Sequence, residues 1–165
     1  MRSWIMVILG SGVLYGNCLT VDMIKTTQTP VDLFGNMKTC IEEKSFDQAA
    51  TLYMVSQAYG YFDTLRVKDK SAHQAVTVLQ TGTHDLLKQN DDKQAFLLAI
   101  NTLIEQHDRS CQFLKTLGYP TYTPDYMINH GLWAMKGKKS ESLDKKFVPK
   151  EAWKQTLTTF MKCPE

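Results

Sequence analysis

The chain predicts an all-α fold, a compact single-domain bundle of about six helices, and three observations carry that expectation. Apolar residues recur at three- and four-residue spacing in each long segment, the period of one helix face. No stretch shows the strict apolar/polar alternation of a half-buried strand. The residues between segments are of the helix-starting and helix-ending kind. At 165 residues, with 43% hydrophobic and 22% charged residues, the composition is that of one ordinary globular core.

Residues 1–18 differ in kind. Met1-Arg2 is a short basic start, Trp4 to Leu9 with Val13-Leu14 is an apolar run, and Gly16-Asn17-Cys18 offers small residues for cleavage. That is the pattern of a secretory signal peptide, with cleavage expected between Gly16 and Leu19. The run is too short and glycine-broken for a span of about 20 residues, so no stable membrane insertion is expected. Cleavage after Gly16 keeps Cys18, whereas cleavage after Cys18 leaves Cys40, Cys111 and Cys163. Without Arg2, 18 basic residues face 17 acidic ones, and a chain so balanced is not built to bind nucleic acid.

Residues 19–30 carry no helical period and read as a flexible leader with a packing end at Val21–Ile24. The helical domain is then 31–165. Val31, Leu33, Phe34, Met37, Cys40 and Ile41 predict a first helix from about Asp32 to Lys44. The central helix is Phe46 to Leu65, on which Ala50, Met54, Ala58, Tyr61, Phe62 and Leu65 form one face and Ala49, Tyr53, Ser56 and Gly60 a second, so it should be covered from two sides. Gly60 predicts the close approach of a neighbouring backbone. Ser45 or Asp47 can cap its start, and the lysines of Lys68-Asp69-Lys70 suit its C-terminal dipole.

Ser71 predicts the start of a third helix bearing Ala72, Ala75, Val76 and Leu79, interrupted at Thr81-Gly82-Thr83. Asn90-Asp91-Asp92 opens a fourth, with Phe96, Ile100, Leu103, His107, Cys111 and Leu114 as one unbroken stripe and Gly118 just past its end. Tyr119 to Tyr122, with Pro120, forms an aromatic turn. Thr123-Pro124-Asp125 starts a fifth helix carrying Met127, Ile128, Leu132 and Trp133. Between Lys136 and Lys154 stand seven lysines, and GKKSESLDKK reads as a solvated loop. Pro149 opens the last helix, with Ala152, Trp153, Leu157, Phe160 and Met161.

Signatures of catalysis are missing from the residue pattern. His73, His84, His107 and His130 are scattered, with no HExxH or paired histidines; His107 lies on an apolar stripe and reads as a core imidazole, the others as surface or cap residues. There is no CxxC pair for zinc, no GxSxG elbow and no calcium loop. Tyr53, Tyr59, Tyr61, Phe62, Tyr119, Tyr122, Tyr126 and Trp133 read as core and helix-junction packing. No residue is assigned a catalytic, cofactor-binding or metal role, and no cofactor is expected.

Asn36-Met37-Lys38-Thr39-Cys40, Ala58-Tyr59-Gly60-Tyr61 followed by Asp63-Thr64-Leu65, and Val148-Pro149 with Phe160-Met161-Lys162-Cys163-Pro164 together resemble segments of the Rap/Tai-type immunity proteins. Thr123-Pro124 to Met135 is similar to a further helix of that family. These are small periplasmic helical proteins that neutralise peptidoglycan-cleaving amidase toxins delivered by type VI secretion. The resemblance implies a periplasmic, non-enzymatic protein whose partner is a cognate amidase toxin. The chain departs from the family at Ala58, where a cysteine is expected, and at Tyr122-Thr123-Pro124, where Cys-Leu-Pro is expected, and no toxin-contacting residue carries over. A periplasmic chaperone of the acid-resistance type is the alternative, and a second copy of the chain is a further candidate partner. Cys40 and Cys163 stand at the ends of the first and last helices, and ends of a compact domain often lie together. A Cys40–Cys163 disulfide is therefore expected, and the resemblance points the same way. It leaves Cys111 as a buried thiol, for which Cys18, if retained, is the one alternative partner.

Overall fold

A computed structural model describes residues 18–87 and 90–164. Helix α1 (Pro30–Glu42) is followed by α2 (Phe46–Arg66), α3 (Gln74–Leu86), α4 (Asn90–Glu105), α5 (His107–Leu117), two single turns α6 (Asp125–Ile128) and α7 (Leu132–Met135), and α8 (Pro149–Gln155). The last runs on as a π-helical turn, Thr156–Phe160. Among the described residues, six of the eight helices have seven residues or more, as the periodicity predicts. Among the described residues there is no strand; Val67 and Leu143 form an isolated bridge.

α2 is covered more widely than on its two expected faces: Tyr53, Tyr61 and Leu65 of those faces are half-buried, while Leu52, Val55 and Tyr59, outside both, are buried. Ala49, Ala50, Leu52, Val55, Ala58, Tyr59 and Phe62 are at most 1% exposed, because α1, α4 and the α8 region pack around this helix. Burial of this kind contributes roughly 1.5–3 kcal/mol per large apolar side chain. α1 begins two residues before the expected Asp32. Pro30 occupies the first turn, Thr29 Oγ1 accepts from the Asp32 amide at 3.2 Å, and the Asp32 carboxylate accepts from the Thr29 amide at 2.8 Å. That reciprocal pair satisfies two amides the helix start would otherwise leave free.

The close approach at Gly60 is made by the Val76 side chain, whose methyl carbons would lie 3.2 Å from an added Cβ, rather than by a backbone. Thr81-Gly82-Thr83 does not interrupt α3. A Cβ at Gly82 would stand 2.9 Å from Phe34 Cζ, so the glycine makes room for that ring inside a continuous helix. The expected fourth helix is two helices, broken at Gln106 (φ −93°, ψ 37°). Its carbonyls are still served: the Ser110 hydroxyl donates to Leu103 O at 3.0 Å. The fifth helix is likewise two turns, α6 and α7, parted at His130-Gly131. Gly118 does end α5, at φ 85°.

Residues 19–29 are laid against the body rather than free. Ile24 is buried, and the Thr121 amide donates to Thr26 O at 2.8 Å. The signal-peptide reading falls on residues 1–17, outside the described residues, except for Cys18, which belongs to the folded domain. The 136–148 connection also departs from a wholly solvated loop: Ser142 is buried, the Lys68 amide donates to Ser142 O at 2.7 Å, and the Asp144 amide donates to Arg66 O at 2.9 Å. Its lysines stay exposed.

The cysteines pair otherwise than expected. Cys18 is bonded to Cys40 and Cys111 to Cys163, with Cα atoms 4.6 and 5.5 Å apart; Cys40 and Cys163 are not joined. Chain ends do come to the body, but to different helices. The backbone at Cys18 is held by Glu43 at 3.1 Å, beside the end of α1. The chain after the π-helical turn runs along α5, where Lys115 donates to Pro164 O at 2.8 Å.

Gly131 is the position where a single carbon is least tolerable. A Cβ there would sit 2.8 Å from Ala72 Cβ and press into the Asp69 carboxylate. Gly131→Ala is expected to cost about 1–3 kcal/mol through overpacking, read as a lowered urea midpoint at unchanged m-value.

Candidate functional site

Two buried carboxylates hold the junctions of the fold. Asp63, in the last turn of α2, is fully buried. Its Oδ1 lies 2.9 Å from Arg66 Nε and 2.7 Å from Nη2, while Oδ2 accepts from the hydroxyls of Tyr122 at 2.9 Å and Tyr126 at 2.8 Å. Arg66 also donates to Tyr122 O at 2.8 Å and lies over the Phe62 and Tyr122 rings. Burial pushes the Asp63 carboxyl above its ordinary range, opposed by Arg66 and by the two tyrosines. Burial, with the adjacent Asp63 charge, pushes the Tyr122 and Tyr126 hydroxyls well above theirs, so both remain protonated donors.

Asp69 serves the next junction. One oxygen accepts from the Ser71 hydroxyl at 2.6 Å and its amide at 3.1 Å, and the other accepts from the Trp133 amide at 2.7 Å. Burial works to raise this carboxyl, but the hydrogen bonds from Ser71 and Trp133 outweigh it and hold it below its ordinary value of 3.8. Asp69, rather than Ser71, therefore caps the turn that leads into α3. Both hubs are saturated by groups of the chain itself, so they organise structure and present no free acid or base to a substrate.

The histidines do not assemble. His73, expected at the surface or as a cap, stands at the N-cap position of α3, half-buried, with Nε2 2.7 Å from Val67 O. His107 is half-buried with Nε2 3.0 Å from Met161 O and 3.7 Å from Cys111 Sγ. His107, Cys111 and Cys163 bring ligand-type atoms within 4.8 Å of one another, but both sulfurs are consumed in a disulfide and offer no thiolate. The aromatics pack as expected of a core: Tyr59 meets Trp153 at 5.8 Å and Phe62 meets Phe147 at 5.2 Å, both edge to face.

What remains open is a surface on α4. Phe96, Ala99, Ile100 and Leu103 turn inward, Phe96 meeting Tyr53 edge to face at 5.9 Å. Away from that stripe Leu97, Leu98 and Ile104 are 43%, 68% and 65% exposed. Apolar side chains beyond the inward stripe are thus left largely in solvent, among polar residues such as Lys93, Asn101 and Glu105. Lys44 fixes its start through Asp92 at 2.6 Å. Beside it, between α2, α4, α5 and the π-helical turn, lies a groove of about 280 Å³ walled by Tyr53, Ile100, Leu103, Leu114 and Met161 and rimmed by Ile104 and by Phe160, which is 39% exposed. A second groove of about 450 Å³ opens on the other side of Leu103 and Met54, between Val21 and Phe113.

The sequence reading named no contact residue and missed this face. Its signal was present in Phe96-Leu97-Leu98-Ala99-Ile100, a run too apolar for a helix with one buried stripe. Among the described residues no helix is long and apolar enough to cross a membrane. No family model, curated protein or solved structure shows a match to the chain.

Proposed function

We propose that this chain is an exported protein-binding protein that acts as an immunity protein, inhibiting a peptidoglycan-cleaving amidase toxin of type VI secretion, and that it docks through the outer face of α4. The observation that carries the binding reading is the exposure of Leu97, Leu98 and Ile104 on one helix, with Ile104 at the rim of an apolar groove, since exposed apolar surface concentrated in this way marks interaction sites. The rigid, preformed setting of that face, between a disulfide-tied α5 and a closed core, suits recognition of one folded partner. The two disulfides support export, because such bonds persist in oxidising compartments. The assignment to amidase immunity rests on the segments at residues 36–40, 58–65 and 148–164.

Purification from the exported fraction tests the reading: an immunity protein brings down one folded amidase at fixed stoichiometry. Leu98→Asp with Ile104→Asp is expected to weaken that binding by about thirtyfold or more, the scale of a central apolar anchor. Stability should change by no more than about 0.5 kcal/mol per site, because these side chains are already in water. A chaperone of the acid-resistance type is the second reading, favoured by the same exposed face. It would bring down many unfolded clients, more of them in acid, and a second copy of the chain on this face would appear as a concentration-dependent dimer.

A further inference from the structure

The charge of this protein is segregated. Residues 132–154 hold seven lysines against Glu141, Asp144 and Glu151, whereas the other residues from Cys18 onward hold eleven basic and fourteen acidic ones. The lobe is thus net +4 and the remainder net −3. Lys136, Lys138, Lys139, Lys145, Lys146 and Lys150 are all exposed. Leu132, Met135 and Val148 stand out among them at 53%, 82% and 55% exposure, and Leu132 and Met135 are one helical turn apart. The lobe is also held in shape. The Leu132 amide donates to the Ser71 hydroxyl at 2.8 Å, the Trp133 amide donates to Asp69 at 2.7 Å, Lys68 sits over the Trp133 ring, and the Lys68 amide donates to Ser142 O at 2.7 Å.

We propose that this lobe docks the protein peripherally on an anionic lipid bilayer. Lysines at the rim are drawn to the negative surface, and each adds to the attraction within a Debye length. The three apolar side chains enter the headgroup boundary, as on interfacial helices that combine basic and apolar residues. A bilayer fits these groups better than a folded protein does. Leu132, Met135 and Val148 project singly between cations, and a fluid interface takes each at its own depth, whereas a protein surface would have to present a matching hollow for every one. The acidic remainder is repelled by the same surface, which orients the molecule with the lobe down and leaves the α4 face, outside this lobe, to its own partner.

Co-sedimentation with vesicles tests this. The full chain is expected to bind vesicles of phosphatidylethanolamine with a minority of phosphatidylglycerol at least about tenfold more tightly than phosphatidylcholine vesicles. The binding should be lost in about 0.5 M NaCl, where the Debye length shrinks to about 4 Å. Lys138→Glu with Lys139→Glu should weaken it about thirtyfold or more, and Met135→Asp several-fold, both at unchanged helicity by circular dichroism. Absence of binding to the anionic vesicles at low salt overturns the proposal. So does equal binding to phosphatidylcholine, indifference to both variants, or lysines shielded from chemical labelling by an acidic protein but not by vesicles.

Discussion

Asp63→Ala is expected to cost about 3–5 kcal/mol of folding stability, a large fraction of the roughly 5–15 kcal/mol of an ordinary domain. The carboxylate has no solvent exposure and accepts from three donors, Arg66 Nε and the hydroxyls of Tyr122 and Tyr126, with the charge of Arg66 Nη2 2.7 Å away. Removing it leaves the guanidinium, itself only 11% exposed, as an uncompensated buried charge, and leaves two phenols without acceptors. The damage extends beyond α2, because Tyr122 and Tyr126 come from the aromatic turn and α6. Tyr126→Phe deletes one donor and should cost about 2 kcal/mol, the scale of a hydrogen bond to a charged group. Chemical denaturation of the two variants side by side checks the ranking. A loss for Asp63→Ala no greater than for Tyr126→Phe would mean that the ion pair is solvated.

Opening the Cys111–Cys163 bond, by replacing both with serine, is expected to destabilise the fold by about 4 kcal/mol, and opening Cys18–Cys40 by about 3 kcal/mol. The order follows from loop length: the bonds span 52 and 22 residues, and the longer loop has more freedom in the unfolded chain to lose. The two losses also fall in different places. The first releases the chain end from α5 and widens the groove beneath Phe160, while the second frees the segment before α1. Non-reducing peptide mapping should return Cys18 with Cys40 and Cys111 with Cys163. A Cys40–Cys163 peptide would contradict the arrangement described here.

Helical spacing made much of the core legible, although Val31, Leu132 and Phe160 of the expected stripes are 44%, 53% and 39% exposed. α2, the end of α5 at Gly118 and the Pro149 start of α8 can be read from the chain, because each rests on a local rule: a periodic stripe, a residue that tolerates positive φ, a proline that lacks an amide. What could not be read is set by distant residues. Gln106 is an ordinary helix residue, and the stripe from Phe96 to Leu114 stays in phase across it; the break places Ser110 on the Leu103 carbonyl and His107 on that of Met161. Gly82 resembles a helix breaker until Phe34 is placed beside it. Asp69 resembles a solvated charge within Lys68-Asp69-Lys70 until the Trp133 amide arrives from 64 residues away. The cysteine pairing failed for the same reason, since proximity of chain ends does not say which helix each end meets. The α4 face was missed because one apolar stripe accounts for the helix, and only a three-dimensional neighbourhood shows that a second remains uncovered.

Titration of a purified peptidoglycan amidase, from a neighbouring reading frame if the gene has such a neighbour, tests the proposed function most directly. The wild-type protein is expected to suppress peptidoglycan cleavage stoichiometrically, at one chain per amidase, while the Leu98→Asp, Ile104→Asp protein, folded and equally stable, requires about thirtyfold more or fails altogether. Undiminished cleavage in the presence of excess wild-type chain would contradict the immunity reading, and inhibition that is identical for the two proteins would contradict the α4 face as its site.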